Sequence, residues 1–334
     1  MLIHILYKEK SVSGGGNQFL KALKKELIGR NAYADNIEQA DAVLFNSHHD
    51  VLDVLKVKLK YPDKIFIQRL DGPSKLYNHL KDIRDDIAYA VNHYIADGTI
   101  FQSNWSKTMN YLYGLNDGKY SSTIINAPDV DIFNRLGKKS LNKGKKVHIV
   151  ATSWSSNLKK GFITYQWLDN NLDFNKYGML FIGNSPIKFK NIKMMNPLSS
   201  EELAKEIKLQ DIFLTASQSD PCSNSLIEAL HCGLPAIGLN DGGHPEIIGS
   251  SGAVFNNPEE IPLLLKKVED QYNELSSGIS LPNMNVVSSK YLEFIKTIYD
   301  DYLKRSYKPK NLNIFKYVVL LAKIYYIKLK SNLV

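Results

Sequence analysis

Residues 211–246 read DIFLTASQSDPCSNSLIEALHCGLPAIGLNDGGHPE. The run Ile212, Phe213, Leu214, Thr215 has the unbroken apolar character of a strand buried on both faces of a parallel sheet. A polar loop follows at 217–223. Asn224 or Ser225 can then cap a helix whose apolar face is Leu226, Ile227, Ala229 and Leu230. Gly233 and Pro235 end that helix. A second apolar strand at 236–239 leads into Gly242 and Gly243. Strand, loop, helix, strand is one half of a doubly wound α/β sheet.

The chemistry concentrates in the loop and the first helix turn. Asp220 lies just before the helix and Glu228 eight residues later, inside it. That is a little over two helical turns, so both carboxylates can face a ligand at the helix N-terminus. Between them the amides of Asn224, Ser225 and Leu226 point the same way, and amides at a helix start suit a phosphate. A ligand with phosphate in its middle and hydroxyls at both ends is implied, which describes a nucleotide-sugar. The bland reading is that Asp220 is a turn residue and Glu228 a solvated helix position.

SDPCSNSLIEALHCGLPAIGLNDGGHPEII resembles the signature of family-4 retaining glycosyltransferases, in which two acidic residues stand with seven between them. Asp220 occupies a place where Glu is commoner, and Cys222-Ser223 stand where Phe-Gly is usual. The resemblance implies that Asp220 contacts the donor sugar and Glu228 the ribose. It extends over residues 1–303, strongest at 217–248. It implies the GT-B fold: two Rossmann-like α/β domains facing a cleft, here followed by an amphipathic helical tail.

The 334 residues suffice for two domains, each with its own core. The expected division is 1–136 for the acceptor domain, 137–146 for a polar, basic linker, and 147–285 for the donor domain. A helix at 286–303 returns to the first domain, and 304–334 is the tail. Hydrophobic content of 44% and charged content of 23% are ordinary for a globular protein. Cys222 and Cys232 are not spaced as metal ligands and suggest a reducing compartment. The expected location is therefore the cytoplasm, at the inner face of the cell membrane if the tail binds there.

Residues 2–7 read as a first strand, too short and with its lysines on the wrong side for a signal peptide. Ser13, Gly14, Gly15 and Gly16 form a glycine turn into a helix at 18–30. Such a turn lets a ligand approach the backbone, and the resemblance places it near acceptor and donor phosphate. It is not the G-x-G-x-x-G pattern of a dinucleotide site, and no cofactor is expected. Strands are expected at 42–46 and 64–68, with a helix at 50–59 between them. The second ends in QRLDGP, where Arg69 and Asp71 sit at the carboxyl end of a strand and are expected to orient the acceptor or the departing phosphate. A local Arg–Asp pair is the alternative.

Asp129-Val130-Asp131 has the form of the D-x-D metal motif. In the resembled family this stretch ends the first domain, and no metal is expected. The loop TSWSSNLKKGF at 152–162 is where the family carries an Arg and a Lys for the diphosphate. Lys160 matches the Lys, whereas Ser155 stands in place of the Arg. The loops at Gly183 and Leu198 fall where the family holds the nucleotide base. Further strands are expected at 177–183 and 191–195, and helices at 259–275 and 287–303.

The net charge of +8 lies in the tail. Residues 304–334 hold eight Lys and Arg and no acid. Taking eight from 42 leaves 34 basic residues to match 34 acidic ones, so there is no basic face for nucleic acid. Lys316, Lys323 and Lys330 recur every seven residues and form a stripe on a helix expected at 313–330. Such a helix can lie in an anionic membrane surface or pack on the first domain.

The expected activity is retaining, metal-independent transfer of a sugar from a nucleoside diphosphate, UDP being the expected one. The acceptor would be a saccharide or lipid-linked saccharide of capsule or O-antigen synthesis. The alternatives are a non-catalytic nucleotide-sugar-binding subunit and a nucleotide-sugar epimerase on the same fold.

Overall fold

The computed structural model describes residues 1–8, 15–116, 118–142 and 144–332. Ser13 and Gly14 of the glycine turn lie outside the described residues, as do Lys143 of the polar segment and the last two residues of the tail. The chain forms two compact units. One comprises Met1–Ser11, Leu20–Ile125 and Asn285–Val334, the other Val12–Phe19 and Asn126–Met284. The polar segment 137–146 belongs to the second unit.

The first unit is built on a parallel sheet of β1 (Ile3–Leu6), β2 (Ala42–Asn46), β3 (Ile65–Leu70), β4 (Gly98–Phe101) and β5 (Tyr120–Thr123), in that spatial order. Every residue of β2, β3 and β4 is buried, as strands covered on both faces require. On the other flank of β1 a single parallel bridge pairs Ile3 with Tyr33. β1 is thus flanked on both sides, and the direction of winding changes there.

The helices Val51–Lys60 and Arg84–Ile95 bury Val54, Leu55, Val91 and Ile95 against Val43, Phe45 and Phe66. The tail helix, Ile314–Asn332, lies over them, and its Leu320 and Ile324, with Leu312 before it, belong to the same core. The long helix Met284–Leu303 packs so close to β4 that a Cβ on Gly98 would stand 2.6 Å from Ile298.

Asp97, at the foot of β4, ties the tail to this sheet. Its carboxylate accepts from the Phe66 N–H at 2.8 Å, the Tyr307 hydroxyl at 2.7 Å and the Lys310 N–H at 2.7 Å. The fully buried Lys58 ammonium lies 3.6 Å away and also donates to the Lys64 carbonyl at 2.8 Å. Burial lowers the Lys58 pKa, while Asp97 works in the opposite direction.

The second unit holds β6 (Val147–Ser153), β7 (Tyr177–Gly183), β8 (Lys193–Met195), β9 (Ile212–Thr215), β10 (Ala236–Leu239) and β11 (Gly252–Phe255). All pairs are parallel and the order is β11-β10-β9-β6-β7-β8. The chain winds outward from β6 through β8, returns to the other side of β6 at β9, and winds outward again. The switch lies between β6 and β9, where Ile149 pairs with Ile212. Phe162, Tyr165 and Phe181 pack at ring separations of 5.5–6.1 Å under this sheet.

Some elements differ from expectation. The helix expected at 259–275 is two, Ile261–Asp270 and Tyr272–Ser277. The second strand at 64–68 runs on to Leu70, so Arg69 lies within β3.

Candidate active site

In an open parallel sheet, ligands sit beyond the carboxyl ends of the strands where the winding reverses. In the second unit those ends are the loops after β6 and β9. The two are joined by backbone, since the Gln218 N–H donates to the Lys159 carbonyl at 2.7 Å. Gly161 lies between them with φ of +90°, and a Cβ there would meet that of Ala216 at 2.4 Å. Only glycine permits both the left-handed backbone and the contact.

This closeness sets Lys160 against Asp220. The ammonium donates to the carboxylate at 2.9 Å. Lys160 remains 22% exposed and Asp220 11%. Burial alone would raise the Asp220 pKa, but the Lys160 charge, His244 and the Cys222 N–H together hold it below the usual carboxylate value. The Asp220 carbonyl accepts from the Gly243 N–H at 2.9 Å. A Cβ on Gly242 would stand 2.3 Å from that carbonyl oxygen. The Gly242-Gly243 pair is thus the floor on which the Asp220 loop rests.

His244 follows that pair and is fully buried. Its Nδ1 lies 3.1 Å from the Leu239 carbonyl, and Nε2 has no hydrogen-bond partner among the described residues. Burial pushes its pKa down, against the pull of the Asp220 carboxylate. The sequence reading missed His244; its place in GG-x-PE, directly after the glycines, was the available signal.

The helix after the β9 loop, Asn224–His231, begins beside this pair. The amides of Asn224, Ser225 and Leu226 lie in its first turn, where an α-helix offers no intrahelical acceptors. Its N-cap residue Ser223 makes no side-chain capping bond. The Asn224 side chain accepts from the Asn126 amide at 2.9 Å, and the Ser225 hydroxyl lies 3.3 Å from that of Ser223. Leu226 is fully buried and anchors the turn. Gly15 lies against Asn224: a Cβ there would be 2.5 Å from the Asn224 side-chain nitrogen. Gly16 next to it has open space.

Glu228 is half-buried, and its carboxylate makes no hydrogen bond or ion pair among the described residues. With no donor to stabilise the charge, burial pushes its pKa up to about 8.

Gly183 ends β7 with φ of +130°, and a Cβ would lie 1.9 Å from the Ser153 carbonyl oxygen. The next residue, Asn184, donates to that carbonyl and to Trp154. The loops after β6 and β7 are thereby locked together. Leu198, half-buried, precedes the Ser199 capping box of the helix Ser200–Lys208. Ser155, in place of the expected Arg, is occupied in its own loop: its carbonyl accepts from Ser153 and its hydroxyl from the Asn157 N–H.

Arg69 and Asp71 lie in the first unit. Arg69 is fully buried and donates to Asn46 at 2.7 Å and to Asp71 at 3.3 Å. Asp71 also accepts from Gln102 and keeps a 40% exposed side chain. Asp129 of the D-x-D sequence accepts the Asp131 N–H at 3.0 Å within a turn. Among the described residues no group of three His, Cys, Asp or Glu could hold a metal ion. Both cysteines are buried, and burial pushes the Cys232 thiol up to about 12.

Residues 188–277, which include Asp220, Glu228 and the Gly242-Gly243 floor, match the family Glycosyl transferases group 1. Over 143 residues the chain is 30% identical to a probable sucrose-phosphate synthase of Thermosipho melanesiensis, covering 41% of this chain and 33% of that one. The match thus spans about a third of that relative's length.

The fold is also that of Anabaena HepE, solved in complex with UDP-glucose, at a TM-score of 0.65 and 12% identity, covering 91% of this chain and 99% of that one. Sucrose-phosphate synthase of Thermosynechococcus elongatus superposes with a TM-score of 0.61 at 10% identity, covering 99% of each chain. A glycosyltransferase of Rickettsia africae gives 0.60 at 13%, covering 90% and 98%. The chain is a GT-B-fold protein with two Rossmann-like α/β units. Its second unit contains the stretch that matches the glycosyltransferase group 1 family.

Proposed function

We propose that this protein transfers a sugar from a nucleoside diphosphate, with UDP as the expected nucleotide, to a saccharide or lipid-linked saccharide acceptor, with retention at the anomeric carbon and no metal. The observation that carries the reading is the Lys160–Asp220 pair at the β6/β9 switch, beside the first turn of the helix that also bears Glu228. A diphosphate fits the helix-start amides and the Lys160 ammonium, which is a compact charge suited to phosphate. Asp220 then accepts from sugar hydroxyls and Glu228 from ribose hydroxyls. HepE, whose fold this chain shares, was solved in complex with UDP-glucose, which agrees with that class of donor.

In the proposed step the acceptor oxygen attacks the anomeric carbon from the face that the phosphate leaves. The bond from that carbon to the β-phosphate oxygen breaks, and the acceptor's proton passes to the departing phosphate. Lys160 and the amides stabilise the charge that builds there. No protein nucleophile is needed. The loops ending at Gly183 and Leu198 border the same strand ends and would take the base, with Gly15 and Gly16 near the phosphates. On the acceptor side, Asp71 is the member of its pair that solvent reaches. Cell-surface polysaccharide synthesis at the inner face of the membrane is the setting this reading implies.

Ser155, which puts no charge where the resembled family has an Arg, favours one second reading: a subunit that binds nucleotide-sugar without turnover. Incubation with UDP-sugars in EDTA, followed by proton NMR, separates the two. A retaining transferase should hydrolyse its donor slowly and first release the sugar with its original anomeric configuration. The opposite anomer appearing first would remove retention, and no release from any donor would favour the binding subunit.

A further inference from the structure

The tail helix Ile314–Asn332 has two apolar faces, and only one of them is covered. Tyr317, Leu320, Leu321, Ile324 and Ile327 point into the first unit's core. At 100° per residue the opposite side carries Phe315, Val318, Ala322, Tyr325, Tyr326 and Leu329. All six are exposed, Phe315 at 74% and Tyr325 at 64%. Lys316, Lys323 and Lys330 run as a line along one edge of that strip, and Lys328 lies across from them. No Asp or Glu occurs from 304 to 334.

We propose that this outer face is a docking surface for an anionic lipid bilayer, with the helix lying in the plane of the interface. A large aromatic and aliphatic strip bordered by lysines is what an in-plane helix presents to headgroups and upper acyl chains. Tyrosine and lysine both place an apolar body in the boundary and a polar tip in water. No helix among the described residues is long and apolar enough to cross a membrane, so the contact is in-plane. A second copy of the chain fits less well, because self-association would set lysine lines together with no acid on the helix to meet them. The inference is independent of the donor-site reading.

Removing the tail is not a usable test, since it would strip Leu312, Leu320 and Ile324 from the core. The full chain should instead be sedimented with phosphatidylglycerol–phosphatidylcholine vesicles and with phosphatidylcholine alone. Two variants belong beside it, Phe315→Ser/Tyr326→Ser/Leu329→Ser and Lys316→Glu/Lys323→Glu/Lys330→Glu. Wild type should bind the anionic vesicles, and do so less at high salt. Each variant should lose at least about tenfold in partitioning, since each lysine near an anionic surface is worth roughly fivefold. Both variants should keep the wild-type melting temperature and its shift with UDP-glucose, which separates this surface from the donor site. Undiminished vesicle binding by the variants, equal binding to neutral vesicles, or no binding by wild type would overturn the proposal. So would a concentration-dependent dimer that the serine variant abolishes.

Discussion

Lys160 is neutralised by Asp220 at 2.9 Å, so each residue holds the other where a ligand would meet both. Lys160→Ala should remove the charge nearest the departing phosphate. The expected loss is about 10²–10³ in kcat, by analogy with removing one preorganised donor, together with a lowered melting temperature, since Asp220 is only 11% exposed and would lose its cation. Steady-state kinetics beside a thermal melt would check this, and an unchanged kcat would take Lys160 out of the chemistry. Gly183→Ala fails for a steric reason, as its Cβ would overlap the Ser153 carbonyl, and loss of soluble folded protein is the expected outcome.

Glu228 adds a pH dependence. A glutamate in an unfolded chain titrates near 4.5 and this one near 8. Between those values the folded state holds a proton that the unfolded state has lost. Its contribution to stability is therefore full below pH 4.5 and declines as the pH rises through 8. Glu228→Gln should flatten that part of the melting profile. UDP-glucose does not itself titrate between pH 6 and 8, and its hydroxyls donate best to a carboxylate. Its affinity for wild type should rise over that range by calorimetry, and the Gln variant should show no rise.

Among the elements, what the sequence revealed follows from how much of each element is buried. β2, β9 and β10 are nearly all buried and read as mainly apolar runs, whereas β3, equally buried, opens on Ile65-Phe66-Ile67 and then carries Gln68 and Arg69, which hid the end of the strand from the sequence. β5 is Tyr-Ser-Ser-Thr, with three of its four residues only partly buried, and carries no such pattern. The Tyr33 bridge is a single pair whose partner is set by the fold. The contact between Lys160 and Asp220 depends on β6 and β9 becoming neighbours, which no local pattern in a sixty-residue separation reports. His244 looks like any helix-start residue until the glycine floor under Asp220 is seen. In the tail the lysine spacing identified a helix with a basic stripe, but both sides of that helix are apolar, and only packing reveals which one the core covers.

The Asp97 network makes the tail part of the first unit rather than an appendage. Asp97→Ala would leave the Lys58 ammonium buried without its carboxylate and free the Tyr307 and Lys310 contacts. A loss of about 3–5 kcal/mol is expected from denaturant unfolding. Leu320→Ala should cost about 2–5 kcal/mol for the cavity in the same core. A tail that merely rested on the surface would leave Leu320→Ala without that loss.

For the whole molecule, the two sheets are each wound about a first strand flanked on both sides, β1 and β6. In the second unit, polar loops follow β6 and β9, the strands between which the winding turns. At its turning point the second unit places an ion pair, a helix start and a glutamate whose pKa burial raises. The proposed activity therefore depends on a nucleotide-sugar binding there. The most direct test is a thermal-shift panel of UDP, GDP, ADP and their common sugars, with and without EDTA, on wild type and on Glu228→Ala. A ligand at a hundred times its Kd stabilises by about 2.7 kcal/mol. The predicted result is a UDP-selective, EDTA-insensitive shift that Glu228→Ala loses. Equal shifts in both proteins, or none with any nucleotide, would contradict it.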